Sequence, residues 1–255
     1  MGWQALVTRI GIILASLASP LNLFPFLSGR GRRRLIRRVE SDLVEHLRSI
    51  GIRVELQKVR GAPVRTREDV YAVTLRQLAT ARVWLTGIHS IEVWRITRKG
   101  KDESITLDEI TYVVALEPGV TLTRIPILTN AVRAEITEGT AELQWRGFEW
   151  GRLPLLVDRL KVDRDLNSRL LEHFSKGQPR DMRITALSEE GKRVGITTTY
   201  DPQWLPSREF LACIEEIAGH VRDYVTERNK AREQDAVTQE RYGLQPEAGG
   251  HCGTS

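Results

Sequence analysis

Apolar residues recur at helical spacing in three places along this chain and at strand spacing through most of the rest. Over residues 31–50, Leu35, Ile36, Val39, Leu43, Leu47 and Ile50 keep to steps of three and four, which predicts an amphipathic helix with arginines crowding its first turns. Positive charge there opposes the helix dipole, a cost that lipid phosphates would offset. A second helix is predicted over Val162 to Phe174, where Val162, Leu166, Leu170 and Phe174 are four apart and Asp163 stands as N-cap. A third starts near Ser207 and carries Phe210, Ile214, Ile217, Val221 and Tyr224 on one stripe. Beyond Tyr224 the stripe fades into nearly continuous polar sequence.

Between these helices the pattern reads as strands. Ile52 to Val59 alternates strictly, with Ile52, Val54 and Leu56 on one face. Glu68 to Ala81 fits helix and strand equally poorly. Residues 82–98 read as strand with a turn near Gly87, and Thr111 to Leu116 is β-branched and apolar. Two hairpins are predicted: Val132 to Ile136 with Ala141 to Trp145 around Glu138-Gly139, and Met182 to Leu187 with Val194 to Tyr200 around Glu190-Gly191. The fold class expected is α+β: a curved, mostly antiparallel sheet with packed amphipathic helices.

Charge changes this picture at one end. The 255-residue chain has a composition ordinary for a globular protein and a formal net charge of +5. Residues 30–60 hold ten Arg and Lys against four Asp and Glu, so the excess is local. Six arginines, Arg30, Arg32, Arg33, Arg34, Arg37 and Arg38, follow directly on an uncharged stretch of twenty residues, Ile10 to Gly29. A basic block beside an apolar stretch points to anionic lipid headgroups. No aromatic-interleaved basic stripe, zinc-finger spacing or helix-turn-helix signal accompanies it, so nucleic acid is not expected as a partner. Twenty uncharged residues are just long enough to span a bilayer, but Pro20 and Pro25 interrupt them and Asn22 adds a polar group. The stretch therefore reads as a retained membrane arm that spans or lies in the interface. Arginines immediately after it work against export as a cleaved signal. They favour a body on the cytoplasmic side, with an exported face left open.

The sequence holds no Gly-rich phosphate loop, no G-x-S-x-G elbow, no C-x-x-C and no H-E-x-x-H. No two of its five histidines fall at short metal-ligand spacing, and neither a metal nor a cofactor is expected. Asp158, Asp163 and Asp165 cluster, but Arg159, Lys161 and Arg164 interleave with them as on a solvated surface. Cys213 lies in an apolar helical pattern as a small hydrophobe, and Cys252 in a Gly-rich tail. The large rings Trp84, Trp94, Trp145, Phe148, Trp150 and Trp204 either line an apolar cleft, lie at a lipid interface or belong to the core.

Residues 152–171, RLPLLVDRLKVDRDLNSRLL, resemble the central motif of a bacterial phospholipid-binding family found in mycobacterial envelope maintenance and in cyanobacteria. The matching positions are Asp163, Asp165, Leu166, Asn167 and Leu170, preceded by a basic-apolar segment, Pro154 to Leu160, read as a strand. Val162 and Arg164 depart from the family's usual threonine-glutamate approach, and neither the arginine block nor a long final helix is a family hallmark. The resemblance implies a non-enzymatic lipid binder with an elongated, curved sheet akin to tubular lipid-binding folds.

These readings divide the chain into a membrane-associated segment (1–29), an α+β lipid-binding-like domain (30–206), a long C-terminal helix (207–241) and a loose tail (242–255). The function expected is phospholipid binding or transfer at a membrane. Trp84, Ile91, Val93, Val113, Leu116, Leu143, Trp145, Phe148 and Trp150 are the candidates for an apolar cleft, and the six arginines for headgroup contact. Binding in such a cleft would follow from apolar area removed from water. An accessory or scaffold subunit of a membrane complex, docking through the helix at 207–241, is the first alternative. A hydrolase with a site built on convergent carboxylates or a partnered histidine is the second.

Overall fold

The computed structural model describes residues 29–59, 64–68, 71–101, 103–116, 132–136, 143–146, 154–176, 181–187 and 193–242. They form four helices, α1 (Gly29–Ser49), α2 (Pro154–Val162), α3 (Arg164–Ser175) and α4 (Arg208–Tyr242). Nine strands accompany them: β1 (Val54–Leu56), β2 (Val64–Glu68), β3 (Tyr71–Val83), β4 (Ile88–Lys99), β5 (Ser104–Val114), β6 (Val132–Ile136), β7 (Leu143–Arg146), β8 (Asp181–Ala186) and β9 (Val194–Thr199). The class is α+β, with a mostly antiparallel sheet. The chain divides into two compact units, and β3, β4 and β5 pass through both.

The first unit takes the residues up to Ala81 together with Glu92–Glu109 and Tyr200–Leu205. Its strand order is β1-β3-β4-β5, with β2 also paired to β3. Helix α1 forms where the apolar stripe predicts it. Val39, Leu43, Val44 and Leu47 are buried, while Arg34, Arg37, Arg38, Ser41, Glu45 and Arg48 are exposed. Its end is set by Gly51, whose φ of 81° lies in the left-handed region. Gly51 N–H donates to the Arg48 carbonyl at 3.0 Å and Ile52 N–H to the Leu47 carbonyl at 2.9 Å. That paired pattern is a Schellman cap, and buried Ile52 and Leu47 supply its hydrophobic contact.

Strand β1 is shorter than the alternation predicts. Ile52 and Val54 are buried, but Leu56 is 43% exposed, because β1 is an edge strand with a neighbour on one side only. The ambiguous stretch before Ala81 is strand: β2 and β3 pair antiparallel from Val64↔Leu75 to Glu68↔Tyr71. Between β4 and β5, Arg95 grips Asp108 with two hydrogen bonds of 2.7 Å each, both side chains largely buried. This hydrogen bonding, against the opposing cost of burial, holds the Arg95 guanidinium further above its usual range.

The second unit takes Arg82–Ile91, Ile110–Thr199 and the residues from Pro206 onward. Its strand order is β3-β4-β5-β9-β8-β6-β7. The pairs β6–β7, β6–β8 and β8–β9 are antiparallel. Both predicted hairpin pairings are present, and their turns lie outside the described residues. Strand β9 runs close against its surroundings. A Cβ on Gly195 would stand 2.7 Å from Thr111 Cγ2 and 2.8 Å from Leu187 Cδ2.

Helix α4 buries the whole stripe read from the sequence, Phe210, Ile214, Ile217, Val221 and Tyr224, with Leu211, Ala218 and Val225 beside it. The turn between β3 and β4 is bonded to this helix. Thr86 N–H donates to Glu215 Oε1 at 2.6 Å, and Arg222 Nη1 donates to the Thr86 carbonyl at 3.0 Å. A side chain at Gly87 would be tight against the helix, since its Cβ would meet Ala218 Cβ at 3.0 Å and the Glu215 carbonyl oxygen at 3.1 Å.

Two expectations around residue 160 are corrected. Pro154 to Leu160 is helix α2 and not a strand, with Leu156, Val157 and Leu160 buried at helical spacing. The helix predicted from Val162 to Phe174 is broken at Asp163. Leu166, Leu170 and Phe174 are buried as expected, whereas Val162 ends the preceding helix and is 76% exposed.

Candidate functional site

The residues that carry the family resemblance meet at the corner between α2 and α3. Asp163 caps α3, its Oδ1 accepting from Leu166 N–H at 3.1 Å. Its Oδ2 lies 2.9 Å from Nε2 of His220 on α4. Partial burial pushes the Asp163 carboxyl upward, but the hydrogen bonds from His220 and Leu166 N–H outweigh it and hold it below the usual carboxylate range.

Asn167 joins three elements through one amide group. Its Nδ2 donates to the carbonyls of Leu160 at 2.8 Å and Lys161 at 3.3 Å, which are among the last of α2 and lack intrahelical partners. Its Oδ1 accepts from Trp145 Nε1 on β7 at 2.7 Å. Asp165 is exposed and pairs with Arg169 one turn on at 3.0 Å. Arg169 also pairs with Glu216 of α4 and reaches Cys213 Sγ at 3.7 Å. Leu166 and Leu170 are fully buried. Farther along α4, Arg159 Nη2 of α2 and Glu227 Oε2 lie 2.5 Å apart. These motif positions thus stitch α2, α3 and α4 together, and both oxygens of Asp163 are taken up in doing so.

Among the cleft candidates, Val93 of the first unit and Ile91, Val113 and Trp145 of the second are core residues, 2% exposed or less. Leu116 and Leu143 are half-buried. Trp84 is 40% exposed and carries the Arg82 guanidinium over its ring at 5.3 Å. Phe148 and Trp150 lie outside the described residues. Trp94 is half-buried and donates from Nε1 to Glu92 Oε2 at 2.9 Å, while Trp204 is exposed.

The structure adds two acids that the pattern did not single out. Glu92 and Glu109 are buried in β4 and β5, and neither is without a partner. Alternation along each strand puts Trp94 and Glu109 on the face opposite the Arg95–Asp108 pair, and the bond to Trp94 puts Glu92 there too. The available signal was local: Glu92 stands between Ile91 and Val93, and Glu109 directly precedes Ile110.

The arginine block is the other assembled feature. Arg33, Arg34, Arg37 and Arg38 are exposed on α1, and Arg30 and Arg32 belong to its first turn. Arg38 Nε stands 3.7 Å from Asp42 Oδ2. The uncharged stretch before Gly29 lies outside the described residues. Among the described residues no helix is long and apolar enough to cross a membrane, and no group of three or more His, Cys, Asp or Glu is placed to hold a metal ion. No protein-family model matches the chain, and neither a curated protein nor a solved structure is significantly similar to it.

Proposed function

We propose that this is a non-enzymatic phospholipid-binding or lipid-transfer protein held at an anionic membrane surface, its body on the cytoplasmic side. The observation that carries the reading is the exposed arginine face of α1, which follows directly on twenty uncharged residues. Arginine is suited to bidentate contact with phosphate, and each basic residue close to an anionic surface contributes about 1 kcal/mol. The resemblance of residues 152–171 to a phospholipid-binding family supports the same reading from the sequence. The hydrolase alternative calls for a partnered histidine, and His220 has one in Asp163 at 2.9 Å, but the same carboxylate also caps α3 through Leu166 N–H, a structural task at the joint of the helices.

One observation favours the scaffold alternative enough to keep it. Helix α4 runs 35 residues, yet among its residues whose burial is described the last buried apolar one is Val225. The helix continues from there to Tyr242, about 25 Å at 1.5 Å per residue, and Glu227, Lys230, Ala231 and Gln234 are exposed along it.

Lipid mass spectrometry on the full-length protein, extracted in mild detergent, separates the two. Stoichiometric phospholipid carried through purification is the expected result. Recovery without lipid, but with a protein partner at fixed stoichiometry, would replace the first reading with the second.

A further inference from the structure

The exposed face of α1 does not stop at the arginine block. Arg34, Arg38, Ser41, Glu45 and Arg48 follow one another at steps of three and four, Arg37 stands beside them, and all are exposed, so they form one continuous stripe. The opposite face is held down by Val39, Leu43 and Leu47 in the core of the first unit. Glu45 is the one acid on the stripe and accepts from Ser41 Oγ at 2.8 Å. Arg34 and Arg48 stand about 21 Å apart along the axis, more than two Debye lengths of about 8 Å at physiological salt. An upright helix continuing a membrane-spanning segment would therefore leave Arg48 outside the field of the bilayer. A helix lying flat would bring both ends of the stripe to it.

We propose that α1 lies along an anionic bilayer surface through the stripe Arg34, Arg37, Arg38 and Arg48, so that headgroup contact reaches the last turn of the helix. This rests on the phospholipid-binding function proposed above and fixes the orientation in which the first unit meets the membrane. A cationic stripe with an apolar reverse already buried in protein has electrostatics to offer the bilayer, not insertion. Binding should then require anionic lipid and fall with salt.

The test uses the full chain with Cys252 replaced by serine, buried Cys213 left in place, and a fluorophore on Ser41→Cys or on Ser49→Cys, both exposed positions. Vesicles of equimolar phosphatidylglycerol and phosphatidylcholine carry a nitroxide on the lipid headgroup. A flat helix gives quenching at the two sites that agrees within about twofold, as for an interfacial helix. In addition, Arg48→Gln and Arg37→Gln each weaken vesicle binding about fivefold, the worth of one basic residue at the surface. Quenching at Ser41 alone, or at neither site while the protein sediments with the vesicles, overturns the orientation and leaves the lipid-binding function standing. Equal binding to pure phosphatidylcholine overturns the electrostatic argument. Failure to bind either vesicle, or preference for duplex DNA over the anionic vesicle, removes the proposed function and this inference together.

Discussion

Replacing Asn167 by leucine removes a donor and an acceptor at one stroke. The carbonyls of Leu160 and Lys161 lose their cap, and Trp145 Nε1 loses its partner inside the core. An orphaned buried donor costs about 1–3 kcal/mol, so a drop of that order in the urea-unfolding free energy is expected. Trp145→Phe made in the Asn167→Leu background should cost less than in the parent, because the indole N–H has nothing left to bond. A double-mutant cycle measures that coupling, and strict additivity would show that the Trp145–Asn167 bond contributes nothing. His173 carries the pH response at this scale. Burial lowers its pKa from 6.5, with Glu172, Lys176, Glu209 and Arg169 around it, and its ring stands edge-on to Phe210 at 5.4 Å. The unfolded chain therefore binds the proton more readily. Stability from this group is complete above 6.5 and is lost as the pH falls through the lowered value. Denaturant midpoints taken from neutral to mildly acid pH should fall more steeply for the parent than for His173→Phe.

Helices α1 and α2 end for reasons found in single residues, Gly51 and Asp163, and those reasons were unevenly readable. The stripes of α1 and α4 could be traced because burial on one face imposes the spacing directly. The break between α2 and α3 could not, since Val162 fits the stripe of the following helix and is excluded from it only by Asp163 turning the chain. Pro154 held the missed signal for α2, because proline at the first position of a helix gives up an N–H that would be unpaired anyway. The cap reading of Asp163 was available from its own neighbourhood. Its bond to His220 was not, being 57 residues away in sequence, and Arg169 and Glu216 are 47 apart. The strand at Ser104–Glu109 went unread although Ser104 to Asp108 alternates polar and apolar, and Glu109 interrupts that alternation before the apolar run that was read. Gly51 also went unread, and it offers a clean test of helix termination. Gly51→Ala places a Cβ in the left-handed region and should destabilise by about 1–2 kcal/mol. Circular dichroism should show the loss as a lower melting point, with no shift predicted for Gly219→Ala from contact, since a Cβ at Gly219 meets nothing within 4 Å.

At the scale of the whole molecule, α4 links what the sequence keeps apart. It receives the β3–β4 turn through Glu215 and Arg222, and α2 and α3 through Glu216, His220 and Glu227. Deep inside that arrangement sits the Cys213 thiol, free and buried, with the Arg169 guanidinium beside it. Burial pushes its pKa up, so it is a poor nucleophile as long as the helices stay docked. That makes it a native clock for opening. An alkylating reagent can reach it only when α3 lifts away from α4, so its modification rate, followed by peptide mass mapping to set Cys252 aside, reports how often this happens. Arg169→Met should quicken that clock by removing the pairs to Asp165 and Glu216, and an unchanged rate would mean the helices part elsewhere. Labelling in the presence of anionic vesicles then asks a question no binding curve can: whether arrival at a membrane loosens the interior of the protein or leaves it shut.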